Sequence, residues 1–177
     1  MSGRPGLVVC MGVSGCGKST LARALAEAYG LVFIEADDLH GAENRAHMAA
    51  GRPLSDAMRE PWIRRLGVRL QAERERGSAC TLAFSGLRRA HRERLRELGF
   101  ATLFLHLVAD PAVIADRMAR RRGHYMPVSL LDSQFADLQP TDDEADVVTL
   151  DTGRPFADVL AAASAQLRVF LERANPD

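Results

Sequence analysis

At 177 residues and 47% apolar composition, the chain has the size of a single α/β domain with a sheet covered on both faces. Its 23 Lys plus Arg balance 23 Asp plus Glu, and a net charge of zero argues against a broad nucleic-acid-binding surface. The polar start and the short apolar runs fit neither a secretory signal nor a bilayer span, so no membrane partner is expected. Three widely spaced cysteines, Cys10, Cys16 and Cys80, read as reduced thiols of a cytoplasmic protein, and the five histidines show no ligand spacing.

Taken in chain order, apolar runs alternate with amphipathic stretches as a parallel sheet demands. The first strand is expected at Leu7–Met11 and is followed at once by Gly12-Val13-Ser14-Gly15-Cys16-Gly17-Lys18-Ser19, a complete GxxxxGK[ST] phosphate-binding loop. A helix is expected over Lys18–Tyr29, with Leu21, Leu25 and Ala28 on one face and Gly30 as its C-cap. Strand, glycine loop and helix N-terminus together make an anion site. Backbone N–H groups from Gly12 to Thr20 converge on phosphates, Lys18 reaches the β- and γ-phosphates, and the Ser19 hydroxyl is offered to Mg²⁺. The pattern implies a nucleoside triphosphate. The Cys16 thiol sits beside the helix N-terminus, which either activates it or leaves it turned away from the site.

Further strands are expected at Leu31–Ile34, Ala79–Phe84, Thr102–Val108 and Asp146–Leu150. The intervening helices are expected over Glu60–Arg76, Arg88–Leu98, Pro111–Arg121 and Phe156–Leu171, the last capped by Asp151 or Thr152. The segment from Asp37 to Trp62 is polar and glycine-punctuated, with a short helix near Glu43–Ala49, and reads as a substrate-binding insertion at about 37–62. An arginine-rich segment ending in Gly123-His124 reads as a short lid at about 117–127. Both leave from carboxyl ends of strands, where open parallel sheets bind their ligands.

The second strand ends in Glu35-Ala36-Asp37-Asp38-Leu39-His40. At the mouth of a phosphate site, one carboxylate can hold Mg²⁺ through water and another can take the proton of an acceptor hydroxyl. Asp37 is favoured for a role in the site. Glu35, on the same side of an extended segment, and Asp38 fit either the site or a solvated acidic turn. Arg117 and Arg121 lie one turn apart and suit a lid that stabilises transferring charge, whereas Arg120 reads as a solvated charge. Past the third strand, Ser85-Gly86 admit a substrate close to backbone, and Arg88, like Arg59 beside Asp56 in the insertion, could pair with an anionic group. Trp62 reads as a core anchor of its helix.

With these motifs in order, the chain resembles the gluconate kinases, small P-loop kinases related to shikimate kinases and nucleoside monophosphate kinases. The resemblance rests on the phosphate loop, Ala36-Asp37-Asp38-Leu39-His40, Glu43-Asn44 with Met48, and Gly51-Arg52-Pro53-Leu54 with Asp56, Arg59 and Pro61-Trp62. It continues through Ser85-Gly86-Leu87-Arg88-Arg89 with Arg92, Arg122-Gly123-His124 and Ser133-Gln134-Phe135-Ala136-Asp137-Leu138. It implies a five-stranded parallel P-loop kinase fold, ATP and Mg²⁺ as cofactors, and phosphorylation of D-gluconate by a homodimer. Carried over residue by residue, it puts Lys18, Asp37 and Arg121 at the chemistry and Arg117 at the nucleotide. It puts His40, Arg59, Ser85, Arg88 and His124 at the acceptor, and Ser19 with Glu35 (through water) at the metal. Shikimate, nucleotide and adenylylsulfate kinases are the alternatives of the same fold. A GTP-binding switch is disfavoured, because Asp38-Leu39-His40-Gly41 is a short match to DxxG and no guanine-specifying NKxD follows.

Overall fold

Six buried residues in a row, Gly6–Met11, form β1, and an unbroken apolar run of this kind suits a strand covered on both faces. In the computed structural model, which describes residues 4–120 and 127–174, β1 is the centre of a five-stranded sheet. All its pairings are parallel, in the order β2 (Val32–Glu35), β3 (Cys80–Ala83), β1, β4 (Ala101–Val108), β5 (Val147–Asp151). Alternation along β1 splits the core in two. Val8 and Cys10 pack with α1 (Lys18–Tyr29), α5 (Pro111–Arg120) and α7 (Phe156–Ala174), through Leu21, Leu25, Ile114, Ala163 and Leu167. Leu7, Val9 and Met11 face α3 (Asp56–Glu75) and α4 (Arg89–Arg96), through Trp62, Leu66, Leu70 and Leu95. Two short helices, α2 (Ala42–Ala49) and α6 (Leu131–Asp137), stand at the carboxyl ends of the strands. Met48 of α2, Leu54 and Leu130 form a separate small apolar cluster there.

The expected α/β fold and its five strands are present, with boundaries moved by one or two residues. Gly30 caps α1 in the left-handed conformation, as expected. Four differences have local causes. α3 begins at Asp56 rather than Glu60, because the Ser55 hydroxyl accepts the Met58 N–H at 3.3 Å and Asp56 supplies first-turn negative charge. The chain does not stay extended past Glu35 but enters a 3-10 turn over Ala36–Leu39. Asp151 and Thr152 do not cap α7: Asp151 accepts the Gly153 N–H at 2.8 Å, and the helix begins only after Pro155. Helix α6 was not expected at all. The lid residues Arg121, Arg122, Gly123 and His124 lie outside the described residues.

Candidate active site

The phosphate loop follows β1 directly and is shaped by what its glycines allow. Gly12 has φ +139°, and a Cβ there would meet the Leu107 carbonyl oxygen at 2.6 Å. Gly15 has φ +81°, and a Cβ would strike Met118 at 2.7 Å. Gly17 opens α1 with no side-chain cap and no acidic residue in the first turn, so the helix N-terminus keeps its orphan donors and its positive potential for an anion. Lys18 donates to the Val13 carbonyl at 2.9 Å. The Ser14 N–H is taken at 2.6 Å by the carboxamide oxygen of Gln134, on α6. The Cys16 side chain is buried in the core against α1 and α5, so this residue faces the loop with its backbone and not with its thiol.

Asp37 is held in place by the helix packed behind it. Trp62 Nε1 donates to the Ala36 carbonyl at 2.7 Å and Arg65 Nε to the Leu39 carbonyl at 2.7 Å, so α3 clamps both ends of the 3-10 turn. Asp37 lines the cleft, whereas Asp38 points to solvent. Burial pushes the Glu35 carboxyl above its ordinary value, with Asp37 adding to the rise, while Ser19 and Lys18 pull it down. Ser19, Glu35 and Lys18 are thus within electrostatic reach of one another at the loop. His40 is buried, stacks on Trp62 with ring centroids 4.1 Å apart, and has Nε2 at 3.9 Å from Asp37 Oδ1. Burial lowers its pKa to about 4 against the opposing pull of Asp37, with Arg45, Arg65 and Arg59 pushing further down. At neutral pH it is uncharged.

The loop after β3 forms the opposite wall. The Gly12 N–H donates to the Ser85 carbonyl at 3.0 Å, which ties this loop to the phosphate loop. The fully buried Arg92 donates to the Gly86 and Leu87 carbonyls at 2.7 and 3.2 Å and pairs with Glu144. Arg88, projected from this loop, donates to Asp137 Oδ1 at 2.8 Å and to Asp56. Arg59, from the first turns of α3, donates to Asp137 Oδ2 at 2.6 Å and to Asp56 Oδ1 at 3.4 Å. One carboxylate, Asp137, therefore holds two guanidinium groups side by side, and Asp56 bridges them from the solvent side. Asp37, His40, Arg59, Ser85, Arg88 and Lys18 line one cleft with Ser14, Gln134 and Asp137.

Arg117 lies elsewhere. It donates to the Thr152 carbonyl at 2.6 Å and lines a second cleft with Gly15, Gly17, Thr20, Arg154 and Phe156, on the other side of the phosphate loop. Phe156, the first residue of α7, lines this cleft and is 46% exposed. Gln134, Asp137 and His91 also line the first cleft, and sequence alone assigns none of them a role. The trace of α6 was present in Leu131, Phe135 and Leu138, apolar at helical spacing.

A family profile described as an AAA domain matches residues 7–141. The gluconokinase of Gluconobacter oxydans is 40% identical over 157 residues, covering 89% of this chain and 88% of its own. The chain belongs to the gluconokinase family. Among solved structures, a gluconokinase from Sinorhizobium meliloti superposes with a TM-score of 0.84 at 39% identity, over 96% of this chain and 95% of that one. A sugar kinase from a Janibacter species gives 0.86 at 41% identity, over 93% and 95%. These relatives match along nearly the whole chain.

Proposed function

We propose that this protein transfers the γ-phosphoryl group of ATP to the 6-hydroxyl of D-gluconate, giving 6-phospho-D-gluconate and ADP. The observation that carries the reading is the convergence, in one cleft, of the phosphate loop, Asp37 and the paired guanidinium groups of Arg59 and Arg88. A planar, two-fork cationic surface suits a carboxylate, and a sugar acid brings its carboxylate and its reacting hydroxyl on one flexible chain.

In this reading the nucleotide base occupies the second cleft, against Arg117 and Phe156, and Thr20 lies beside the phosphates. Lys18 exchanges the Val13 carbonyl for phosphate oxygens. The acceptor's carboxylate takes the place of Asp56, which is 71% exposed, on Arg88 and Arg59, while Asp137 remains as their anchor. Ser85 and His40 meet the acceptor's hydroxyls. Asp37 orients the reacting hydroxyl and accepts its proton as the oxygen bonds the γ-phosphorus and the bond to the β-phosphate oxygen breaks. Arg121 and His124 belong to the proposed lid over this step.

Mg²⁺ fits the donor set, all oxygen: the Ser19 hydroxyl, with Glu35 acting through water. Among the described residues no cluster of three or more acidic, His or Cys side chains forms a cage, which suits an ion held largely by phosphates. When bound, Mg²⁺ neutralises charge on the β- and γ-phosphates. The reading also includes a homodimer, for which the family resemblance is the support, and a cytoplasmic setting, which the three free buried thiols suit. No helix among the described residues is long and apolar enough to cross a membrane.

The test is a panel of acceptors (gluconate, shikimate, AMP, CMP and adenylylsulfate) with Mg-ATP, read by product phosphate. Gluconate alone should give a sugar phosphate. ATP hydrolysis without one, or a preference for any other acceptor, overturns the assignment. In the same assay Asp37→Asn should lower kcat by roughly 10²-fold with KM for ATP unchanged, the usual share of general-base catalysis.

A further inference from the structure

We propose that Asn44 is a positioning residue that fixes His40 as its Nε2–H tautomer, making the imidazole a neutral hydrogen-bond donor to the acceptor and leaving Asp37 as the base. The inference rests on the acceptor-cleft reading above.

The orientation of the Asn44 amide is determined by its partners. Asn44 Nδ2 lies 2.9 Å from the Met58 carbonyl oxygen, in the first turn of α3. A carbonyl only accepts, so this end of the amide must be the NH₂ group. The reverse orientation would set two oxygens against each other. The same nitrogen lies 3.4 Å from His40 Nδ1 and carries a second hydrogen to give it. Asn44 is buried, and its contact with His40 lies between two buried side chains. A donor facing Nδ1 requires Nδ1 to accept, and in a neutral imidazole the proton must then sit on Nε2.

The ring leaves Nε2 one direction. Trp62 stacks on its face at an interplanar angle of 17°, and Nε2 points to the side occupied by Asp37 and the cleft. At 3.9 Å the Nε2–H is too far from Asp37 Oδ1 for a direct hydrogen bond, which leaves room for an acceptor oxygen to meet both groups. A hydroxyl there receives a hydrogen bond from Nε2–H and gives its own to Asp37. Burial and the neighbouring Arg45, Arg65 and Arg59 keep the ring uncharged despite Asp37. His40 therefore keeps its proton through the transfer, and the acceptor's proton goes to Asp37. Asn44 was quoted in the sequence only as part of a pattern, and its role appears through two contacts that cross from α2 to the 3-10 turn and to α3.

The test is long-range ¹H–¹⁵N correlation of the imidazole nitrogens in the ¹⁵N-labelled full-length protein at neutral pH, with His40 identified by loss of its signals in His40→Gln. The expected spectrum shows Nε2 protonated and Nδ1 bare. In Asn44→Asp, where an acceptor replaces the donor, the proton should move to Nδ1 or the ring should become doubly protonated. In Asn44→Ala an Nδ1–H population should appear. A wild-type ring protonated at Nδ1, or spectra unchanged in both variants, overturns the proposal. Activity supplies an independent arm. His40→Gln keeps an N–H donor but no base and should exceed His40→Ala in kcat/KM for gluconate by about ten-fold, the worth of one hydrogen bond, with KM for ATP unmoved in both. Equal losses in the two would show that no donor is needed. The spectrum reads the tautomer whether or not gluconate is the acceptor, so failure of the functional reading would be seen separately.

Discussion

Two arginine–carboxylate clusters sit on either side of the loop after β3, each built on a pair of arginines. In one, Arg92 and Arg96 meet Glu144 and Asp146, and the side chains of Arg92 and Glu144 are 0% and 2% exposed. In the other, Arg59 and Arg88 meet Asp137 and Asp56, and the side chains of Arg88 and Asp56 are 32% and 71% exposed. Both clusters are strongly hydrogen-bonded. What separates them is whether water, or a ligand, can take a partner's place. The Arg92–Glu144 pair at the heart of the sealed cluster is closed to water, and Arg92 also satisfies the carbonyls of Gly86, Leu87 and Pro140, so it fixes the loop. The open cluster has an exposed carboxylate whose removal leaves both guanidinium groups facing the cleft. The sealed pair positions the open one.

The largest expected effect comes from breaking the sealed side. Arg92→Ala leaves the buried Glu144 carboxylate to Arg96 alone and strands three backbone carbonyls, and should cost about 3–5 kcal/mol in urea unfolding. A loss below about 1 kcal/mol would mean that the two clusters do not differ in kind. Arg88→Ala should do the reverse: stability within about 1 kcal/mol of wild type, but a loss of about 2 kcal/mol in kcat/KM for gluconate, roughly thirty-fold, with KM for ATP unchanged.

Acid titration sharpens the contrast. Burial alone would raise the Glu144 pKa, but hydrogen bonds from Arg92 and Arg96 prevail and hold it at about 2. A carboxyl whose folded pKa lies below its ordinary value of 4.5 contributes stability above pH 4.5 and loses it as pH falls toward 2. His40, His91 and His106, all lowered chiefly by burial, favour the folded state above pH 6.5 and withdraw that contribution below it, since the unfolded chain takes up protons first. Unfolding free energy should therefore fall from pH 6.5 downward. In Arg92→Ala the Glu144 share of the slope between pH 4.5 and 2 should shrink, while Arg88→Ala should leave that share intact. Equal slopes in wild type and Arg92→Ala would contradict the assignment. The smallest effect belongs to Asp56→Asn, which removes the exchangeable partner. Stability should not change measurably, and KM for gluconate should fall modestly or stay level. A large rise would make Asp56 part of the recognition surface instead of its placeholder.

The two clefts differ in how far the sequence revealed them. The phosphate loop is contiguous and works through backbone, so eight residues and their flanks located it. Strand positions followed from apolar runs for the same local reason. Asp37 and Arg88 were legible because charges at strand ends point into an open sheet's binding face, and Arg59 because it sits in the polar insertion beside that face. Asp137 and Gln134 were not, because they sit on a seven-residue helix too short for a clear periodic signal, and their partners are 49 to 120 positions away. Asn44 escaped for a similar reason: an uncharged side chain on a short helix has no chemistry until its two contacts are known. Cys16 was read as lying in the loop without its side-chain direction, which the core packing behind Gly12 decides.

The central claim is that the open arginine pair recognises the acceptor's carboxylate, and the direct measurement compares gluconate with glucose, which lacks it. The ratio of kcat/KM for the two acceptors should be large in the wild type and should collapse by roughly thirty-fold in Arg88→Ala, through loss of gluconate turnover alone. A ratio that stays constant while both activities fall would place Arg88 with the phosphates or the fold, and would contradict the account.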